Sequence, residues 1–241
     1  MQAAIQITDL TRDYKNRRAV DHLNLTITKG EFFALLGTNG AGKTTTIKML
    51  SCLLLPTEGD AVLLGNSIVH DAEKVKKIIN VSPQETAIAP KLTVRENLEL
   101  IARLYGCSKQ EAQERAIKML SEFDLTDRAK DKAKSLSGGM QRKLNIALGL
   151  ISSPKILFLD EPTLGLDVRA RKELGKTIET LKGKINIIVT THYLEEAEAL
   201  ADRIGIMHEG KLQALGTAEE IVAASGQKNF EDAFLLYTGG V

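Results

Sequence analysis

The residues Gly37–Thr44 read G-T-N-G-A-G-K-T and follow a short apolar run. This is the spacing of a phosphate-binding loop (P-loop), in which glycines let backbone N–H groups curl around phosphate oxygens and a lysine adds a point charge. Lys43 suits the β and γ phosphates of a nucleotide, and the Thr44 hydroxyl suits Mg²⁺. A merely structural glycine-rich turn would not need Lys-Thr at this place. The predicted nucleotide-binding residues of the loop are Gly37, Asn39, Gly40, Ala41, Gly42, Lys43, Thr44 and Thr45.

Two carboxylates, Asp160 and Glu161, follow the apolar run Ile156–Leu159. Ligands of open α/β sheets bind at the carboxyl ends of the strands, so we expect both side chains near the phosphate loop. Asp160 suits the magnesium shell beside Thr44, and Glu161 suits a base that polarises an attacking water. Taken alone, the pair is also compatible with a solvated acidic strand end, but after a P-loop it favours nucleotide hydrolysis.

A third segment, Ser137-Gly138-Gly139, precedes a helical pattern at Met140–Ile151. Ser137 is a typical helix N-cap. Two glycines do not help a helix, but they expose N–H groups, and the helix dipole favours an anion such as phosphate at this end. From the residues alone, a structural cap and a phosphate contact both remain open.

The composition narrows the class of protein. Of 241 residues, 43% are hydrophobic and 26% are charged, as in ordinary globular domains. Lys plus Arg (32) nearly balance Asp plus Glu (31), Trp is absent and aromatics reach 4%, so nothing favours nucleic-acid binding. Cys52 and Cys107 lack metal-ligand spacing and indicate reduced thiols. No apolar run approaches the roughly 18 residues of a membrane span, and we expect no amino-terminal leader.

Local patterns predict the elements that position these residues. Alternating apolar residues near the start predict antiparallel strands that lead into a buried strand at Glu31–Leu36. A helix is predicted over Thr44–Leu55, ending before Pro56. Capping-box patterns at Thr93–Glu96 and Ser108–Glu111 open further helices. After residue 155, short apolar strands alternate with helices, which predicts a parallel sheet covered on both faces.

These elements predict one α/β domain over residues 1–241, with a P-loop NTPase core, an antiparallel β lobe and an inserted helical lobe. The core and β lobe are assigned to about 1–85 and 154–217. The helical lobe, which carries Ser137, is assigned to about 86–153. A short helical tail is assigned to 218–241.

The phosphate loop, the segment Leu136–Gln141 (L-S-G-G-M-Q) and Asp160-Glu161 occur in an order that resembles the nucleotide-binding subunit of an ATP-binding cassette (ABC) transporter. In that family the signature segment closes an ATP site on the opposite subunit. The resemblance therefore implies an ABC ATPase fold and two chains that bury two ATP molecules. Met140 departs from the glutamine that is common at the fifth position, as in many drug exporters. The signature residues implied to contact the partner's ATP are Ser137, Gly138, Gly139 and Gln141.

The same resemblance implies roles for isolated residues. Tyr14 would stack on adenine, and Gln84, in Ser82-Pro83-Gln84, would reach Mg²⁺ or water. Asp167 would lie in the D-loop that contacts the other subunit. His192 would contact the γ-phosphate and act in catalysis with Glu161. Without the resemblance, a lone Tyr, Gln or His is more often a core or surface residue.

The resemblance implies an ATP- and Mg²⁺-dependent ATPase that pairs with a second ATP-binding subunit, identical or paralogous, and with integral-membrane permease subunits. It would be cytoplasmic and peripheral on the inner face of the cell membrane. Three segments, Phe230–Phe234 of the tail, Leu136–Arg142 and Gly165–Asp167, resemble those of ATPase subunits of drug, antibiotic or sodium exporters with a separate ABC-2-type permease. The implied cargo is a drug, an antibiotic, a lipid-like compound or an ion. An importer ATPase is the near alternative.

Two further classes are weighed against this one. A non-transport ABC ATPase acting on DNA or ribosomes usually carries a long coiled coil or a fused second cassette, and the sequence predicts neither. A small-molecule kinase would use the same P-loop but would leave the signature segment and His192 without a purpose.

Overall fold

The computed structural model describes residues 2–240, which form two sheets and nine α-helices. The strands are β1 (Ala3–Tyr14), β2 (Arg17–Thr28), β3 (Phe32–Gly37), β4 (Glu58–Leu63), β5 (Asn66–Ser67), β6 (Ile79–Ser82), β7 (Ile156–Asp160), β8 (Asn186–Thr191), β9 (Arg203–His208) and β10 (Lys211–Gly216). The helices are α1 (Lys43–Leu50), α2 (Ala72–Ile78), α3 (Val94–Leu104), α4 (Lys109–Glu122), α5 (Gly138–Leu150), α6 (Val168–Glu179), α7 (Leu194–Leu200), α8 (Ala218–Ser225) and α9 (Phe230–Tyr237). No helix within residues 2–240 has both the length and the hydrophobicity needed to cross a membrane.

The two sheets confirm the predicted α/β architecture. An antiparallel sheet has the strand order β2-β1-β4-β5, and a six-stranded sheet has the order β10-β9-β3-β8-β7-β6. In the larger sheet β9, β3, β8, β7 and β6 run parallel, and β10 pairs antiparallel with β9 at the edge. The parallel strands therefore present their carboxyl ends at one edge of the sheet.

Strand β3 separates two hydrophobic cores. Its side chains alternate, so Phe32, Ala34 and Leu36 pack into the core that also contains the helices α3 to α5. Phe33 and Leu35 pack into the core that lies toward the antiparallel sheet and α1. Because β3 is buried on both faces, the loop that follows it starts from a rigid position.

The segment between β6 and β7 is helical, as predicted. Thr93 and Glu96 form a reciprocal capping box at the start of α3, and Ser108 and Glu111 form one at the start of α4. Such caps stabilise a helix by about 1 kcal/mol. Within this segment the only strand-type pairing among the described residues is an isolated bridge between Thr93 and Lys132.

The predicted helix over Thr44–Leu55 is wrong at its end. Helix α1 stops at Leu50, because Cys52 has φ 57° and the amides of Leu53 and Leu54 both turn back to the carbonyl of Lys48. Helix α5 begins at Gly138, directly after the predicted N-cap Ser137, so Gly138 and Gly139 precede the predicted helical pattern at Met140–Ile151 but belong to the helix. The sequence reasoning missed α2 because only one of its side chains is buried.

Candidate active site

Three loops at the carboxyl edge of the parallel sheet bring the candidate residues together. The P-loop follows β3, Glu161 follows β7, and His192 follows β8. Strand β8 lies between β3 and β7, with Leu36 paired to Thr191 and Asp160 paired to Thr190. Adjacent parallel strands thus place residues that are distant in sequence within contact of one another.

A pocket of about 530 Å³ opens where these loops meet. Nearly all the residues predicted to bind nucleotide in the same chain line it: Tyr14, Asn39, Gly40, Ala41, Gly42, Lys43, Thr44, Thr45, Gln84, Glu161 and His192. Gly37 does not line the pocket, and its carbonyl instead accepts a hydrogen bond from Lys43. The volume is within the range of small-molecule sites.

The P-loop has a conformation that glycine makes possible. Gly42, the N-cap of α1, has φ 108°, and a Cβ there would meet the carbonyl oxygen of Ala19. Gly40 has φ 81°. Helix α1 begins at Lys43, so its unpaired N–H groups and positive dipole end face the pocket, an arrangement suited to phosphate.

Lys43 is the central cation of the pocket. Its ammonium donates to the carbonyls of Gly37 at 2.7 Å and Thr38 at 3.3 Å, and it lies 3.2 Å from Glu161 Oε1. The side chains of Lys43 and Glu161 are only 6% and 8% exposed. Little water screens this charge, so an anion that enters the loop meets a strong local field.

Glu161 is held from several sides. Its backbone has φ 47°, and its amide donates to the carbonyl and hydroxyl oxygens of Thr190 at 3.1 and 3.0 Å. Its Oε2 lies 2.7 Å from His192 Nδ1. The carboxylate therefore stands between a lysine and a histidine, in a position to orient a water at the pocket.

Asp160 supplies the second carboxylate. Its Oδ1 accepts hydrogen bonds from the hydroxyls of Thr44 at 3.1 Å and Thr190 at 2.5 Å. Within the described chain no three His, Cys, Asp or Glu side chains cluster as a protein-only metal site. Mg²⁺ typically takes one or two carboxylates together with water and substrate phosphates, so the Thr44 and Asp160 oxygens fit Mg²⁺ bound with a nucleotide.

Tyr14 and Gln84 stand on the pocket wall. Tyr14 is 45% exposed, with the guanidinium of Arg12 at 5.1 Å from the centre of its ring, and an exposed aromatic ring suits stacking on an aromatic base. Gln84 is exposed in the loop after β6. Arg142, on α5, holds that loop by donating to the Pro83 carbonyl at 3.0 Å. Asn145 of the same helix donates to Ser82 Oγ at 2.8 Å.

The signature residues Ser137, Gly138, Gly139 and Gln141 lie outside the pocket of their own chain. Ser137 is the predicted N-cap of α5 and accepts from the Met140 amide at 3.4 Å. A Cβ on Gly139 would lie 3.2 Å from the Cβ of Ala170 in α6. Asp167, also outside the pocket, is the N-cap of α6 and accepts from the Ala170 amide at 2.8 Å. The two helix starts thus lie close to each other, outside the pocket that contains Lys43.

Sequence reasoning missed three residues that line the pocket: Arg17, Ala19 and Leu164. Arg17, at the start of β2, donates to the carbonyl of Gly40 and so contacts the P-loop. The only sequence signal for it is its closeness to Tyr14, and pairing of β1 with β2 was needed to place it.

Comparison with known proteins identifies the family. The profile of the ABC transporter family matches residues 20–164, a span that includes the P-loop, Gln84, the signature segment and Glu161. The chain belongs to the ABC transporter family. Among its relatives, the linearmycin resistance ATP-binding protein LnrL of Bacillus subtilis is 40% identical over 223 residues, which is 92% of this chain and 72% of LnrL. The daunorubicin/doxorubicin resistance ATP-binding protein DrrA of Streptomyces peucetius is 40% identical over 92% of this chain and 68% of its own length.

Solved ABC structures share the fold. An ATP-binding subunit of an ABC transporter superimposes with a TM-score of 0.85 at 30% identity, covering 97% of this chain and 99% of that one. The ATP-binding cassette MJ0796, dimeric in a post-hydrolysis state with ADP and phosphate, superimposes with a TM-score of 0.79 at 28% identity over 88% of this chain and 98% of that one. These findings confirm the predicted ABC ATPase: this chain is an ATP-binding, ATP-hydrolysing ABC subunit. ATP-binding domains of this family dimerise and work with membrane permeases.

Proposed function

We propose that two ATP-binding subunits close around two ATP molecules with Mg²⁺ and drive export through a separate integral-membrane permease. The observation that carries the paired site is the position of Ser137 and Gly139, which stand outside their own chain's pocket at an exposed helix start. A helix N-terminus with exposed N–H groups suits phosphate, so the natural place for these residues is the nucleotide of the partner.

The proposal gives each predicted site residue the role that the family resemblance implies for it. Tyr14 stacks on adenine, the backbone of the P-loop from Gly37 to Thr45 holds the phosphates, and Lys43 pairs with their charge. Thr44, Asp160 and Gln84 hold Mg²⁺, which neutralises phosphate charge. The partner's signature segment completes the site, and Asp167 contacts the partner through the D-loop.

Glu161 and His192 carry the hydrolysis step. Glu161 orients the attacking water, and its position is fixed by the 2.7 Å contact to His192 and by the hydrogen bonds that its own amide donates to Thr190. His192 stands at the end of β8, where it can contact the γ-phosphate. Phosphoryl transfer depends chiefly on positioning and electrostatics, which is what this buried set of charges supplies.

The proposal also assigns a role to each segment of the chain. Residues of about 1–85 and 154–217 form the nucleotide-binding core with the β lobe. Residues of about 86–153 form the helical lobe that presents the signature segment to the partner, and 218–241 form the tail. Arg142 and Asn145 of this lobe donate hydrogen bonds to the loop that carries Gln84, so a movement of that loop on nucleotide binding can be transmitted to the helical lobe.

The names of the relatives favour export of a drug or antibiotic, since LnrL and DrrA are resistance proteins. The subunit would then work at the cytoplasmic face of the cell membrane, beside its permease. Lipid-like compounds and ions are further cargo candidates, and a role in import is the near alternative. Purification of the protein from detergent-solubilised membranes distinguishes the transport functions from a non-transport ABC ATPase. A co-purified partner with several membrane spans would support transport, whereas co-purified ribosomes or DNA would support a non-transport ATPase.

Glu161→Gln tests the catalytic assignment. We expect this variant to bind ATP as well as the unaltered chain, because removing a negative charge 3.2 Å from Lys43 does not oppose phosphate. Turnover should fall by on the order of a hundredfold or more, and a nucleotide-bridged dimer should accumulate. Steady-state phosphate release and gel filtration with ATP measure the two effects.

Glu198→Gln is the matched control, since Glu198 is exposed on α7. It should leave turnover and dimerisation unchanged. Normal turnover in Glu161→Gln would rule out Glu161 as the residue that orients the water.

A further inference from the structure

A buried carboxyl behind the nucleotide pocket connects the loops that carry Glu161 and His192. Glu196, on α7, is only 7% exposed. Its Oε2 accepts hydrogen bonds from Thr191 Oγ1 at 2.5 Å and from Thr163 Oγ1 at 3.2 Å. One oxygen atom thus joins the end of β8 to the turn after β7.

The two hydroxyls belong to near neighbours of the proposed catalytic pair. Thr191 directly precedes His192, and Thr163 lies two residues after Glu161. A left-handed backbone such as that of Glu161, with φ 47°, is unfavourable for a non-glycine residue and persists only where surrounding contacts impose it. The bridge through Glu196 is one of the contacts that can impose it.

We propose that Glu196 is a positioning residue for ATP hydrolysis, which sets the placement of Glu161 relative to His192 by holding Thr163 and Thr191. This inference rests on the proposed roles of Glu161 and His192. Glu196 does not line the nucleotide pocket; it acts through the two threonines. Because both threonines donate, the bridge requires an acceptor oxygen and does not require a negative charge.

The surroundings of Glu196 disfavour the charged form of its carboxyl relative to that of an exposed glutamate. Burial raises the pKa of Glu196, and the nearby charge of Glu161 acts in the same direction, while the two threonine hydrogen bonds and the charge of Arg171 oppose them. Its second oxygen, Oε1, is buried and has no hydrogen-bond partner among the described residues. A glutamine has the same shape and keeps the acceptor oxygen, whereas an alanine removes it.

Two variants at one position test the inference. Glu196→Ala should lower kcat by on the order of ten- to a hundredfold and change the KM for ATP by less than about threefold, because the P-loop is not altered. Glu196→Gln should restore kcat to within about threefold of the unaltered chain. Glu198→Ala, on the exposed side of the same helix, is the control and should leave kcat unchanged.

Any of three results would overturn the inference: an unchanged kcat in Glu196→Ala, a loss in Glu196→Gln as large as in Glu196→Ala, or an effect confined to KM. If Glu196→Ala does not fold by circular dichroism, Thr163→Val and Thr191→Val remove one donor each. In the double variant, the loss in the logarithm of kcat should then be smaller than the sum of the losses in the two single variants. A loss equal to that sum would count against a shared acceptor.

Glu161→Gln is measured in parallel. If it keeps normal turnover, the proposed catalytic role of Glu161 fails and the inference fails with it. If it loses turnover while Glu196→Ala does not, only the positioning role is overturned.

Discussion

At the scale of the residue, the site centres on a buried ion pair and on the histidine that contacts it. Lys43 pairs with Glu161, and Glu161 contacts His192. Glu196 lies behind them, and burial raises its pKa. Because an unpaired buried charge is costly, Lys43 and Glu161 stabilise each other in this position, which gives the positional order that phosphoryl transfer needs.

The buried carboxyl predicts a pH dependence of stability. Since the pKa of Glu196 is raised above its ordinary value of 4.5, the folded chain holds this proton more tightly than the unfolded chain. The resulting contribution to stability is complete below pH 4.5 and is lost as the pH rises through the folded-state pKa. Glutamine cannot lose a proton. The free energy of unfolding of Glu196→Gln, minus that of the unaltered chain, should therefore increase over this window and then level off.

Urea unfolding of both chains at steps from about pH 4 to 8 measures that difference. Glu198→Gln controls for the loss of one formal charge at an exposed position of the same helix. A difference that stays flat or decreases with rising pH would contradict a raised pKa for Glu196.

Residue motifs could be predicted from the sequence where their parts are contiguous. The P-loop and Asp160-Glu161 are contiguous residues, so their types and spacing are enough to predict phosphate binding and nucleotide hydrolysis. Glu196 could not be found in this way, because it lies in the run L-E-E-A-E-A with Glu195 and Glu198, and only the packing of α7 shows which of the three glutamates is buried.

At the scale of the element, the site depends on the ends of three parallel strands. The strand order β3-β8-β7 brings Lys43, Glu161 and His192 into contact. Hydrophobic patterns predicted each of these strands but contain no information about their order, so the ion pair of Lys43 could not be deduced. Helix bounds were predicted less well. Helix α1 ends before Cys52, whose left-handed backbone is not indicated by any pattern in the sequence.

The start of α1 provides a prediction at this scale. Alanine at Gly42 or at Gly65 must adopt a positive φ, of 108° or 86°, which costs about 1–2 kcal/mol. Only at Gly42 would the new Cβ also meet the carbonyl of Ala19 and, at 3.1 Å, the end of Met207, whereas nothing lies within 4 Å at Gly65. Gly42→Ala should therefore lose ATP binding and more stability than Gly65→Ala. Titration calorimetry and thermal unfolding measure both, and equal losses in the two variants would contradict the account.

At the scale of the whole molecule, each proposed active site is formed by two chains, one of which supplies the P-loop and the other the signature segment. Ser137→Asp is designed to test this. Aspartate caps a helix as well as serine does, but its charge repels phosphate. Ser137→Asn caps equally well without the charge and is the control. A loss of ATPase activity in Ser137→Asp but not in Ser137→Asn would indicate that an anion binds at this helix start.

Mixing two inactive chains gives the most direct test of the paired site. Lys43→Met damages the P-loop, and Ser137→Asp damages the signature segment. In a mixed dimer, the intact P-loop of the second chain meets the intact signature of the first. We predict that each variant alone lacks ATPase activity and that an equal mixture recovers about a quarter of the activity of the unaltered chain, since half of the random dimers are mixed and each holds one complete site. A mixture that stays as inactive as its components would contradict an ATP site shared between two chains.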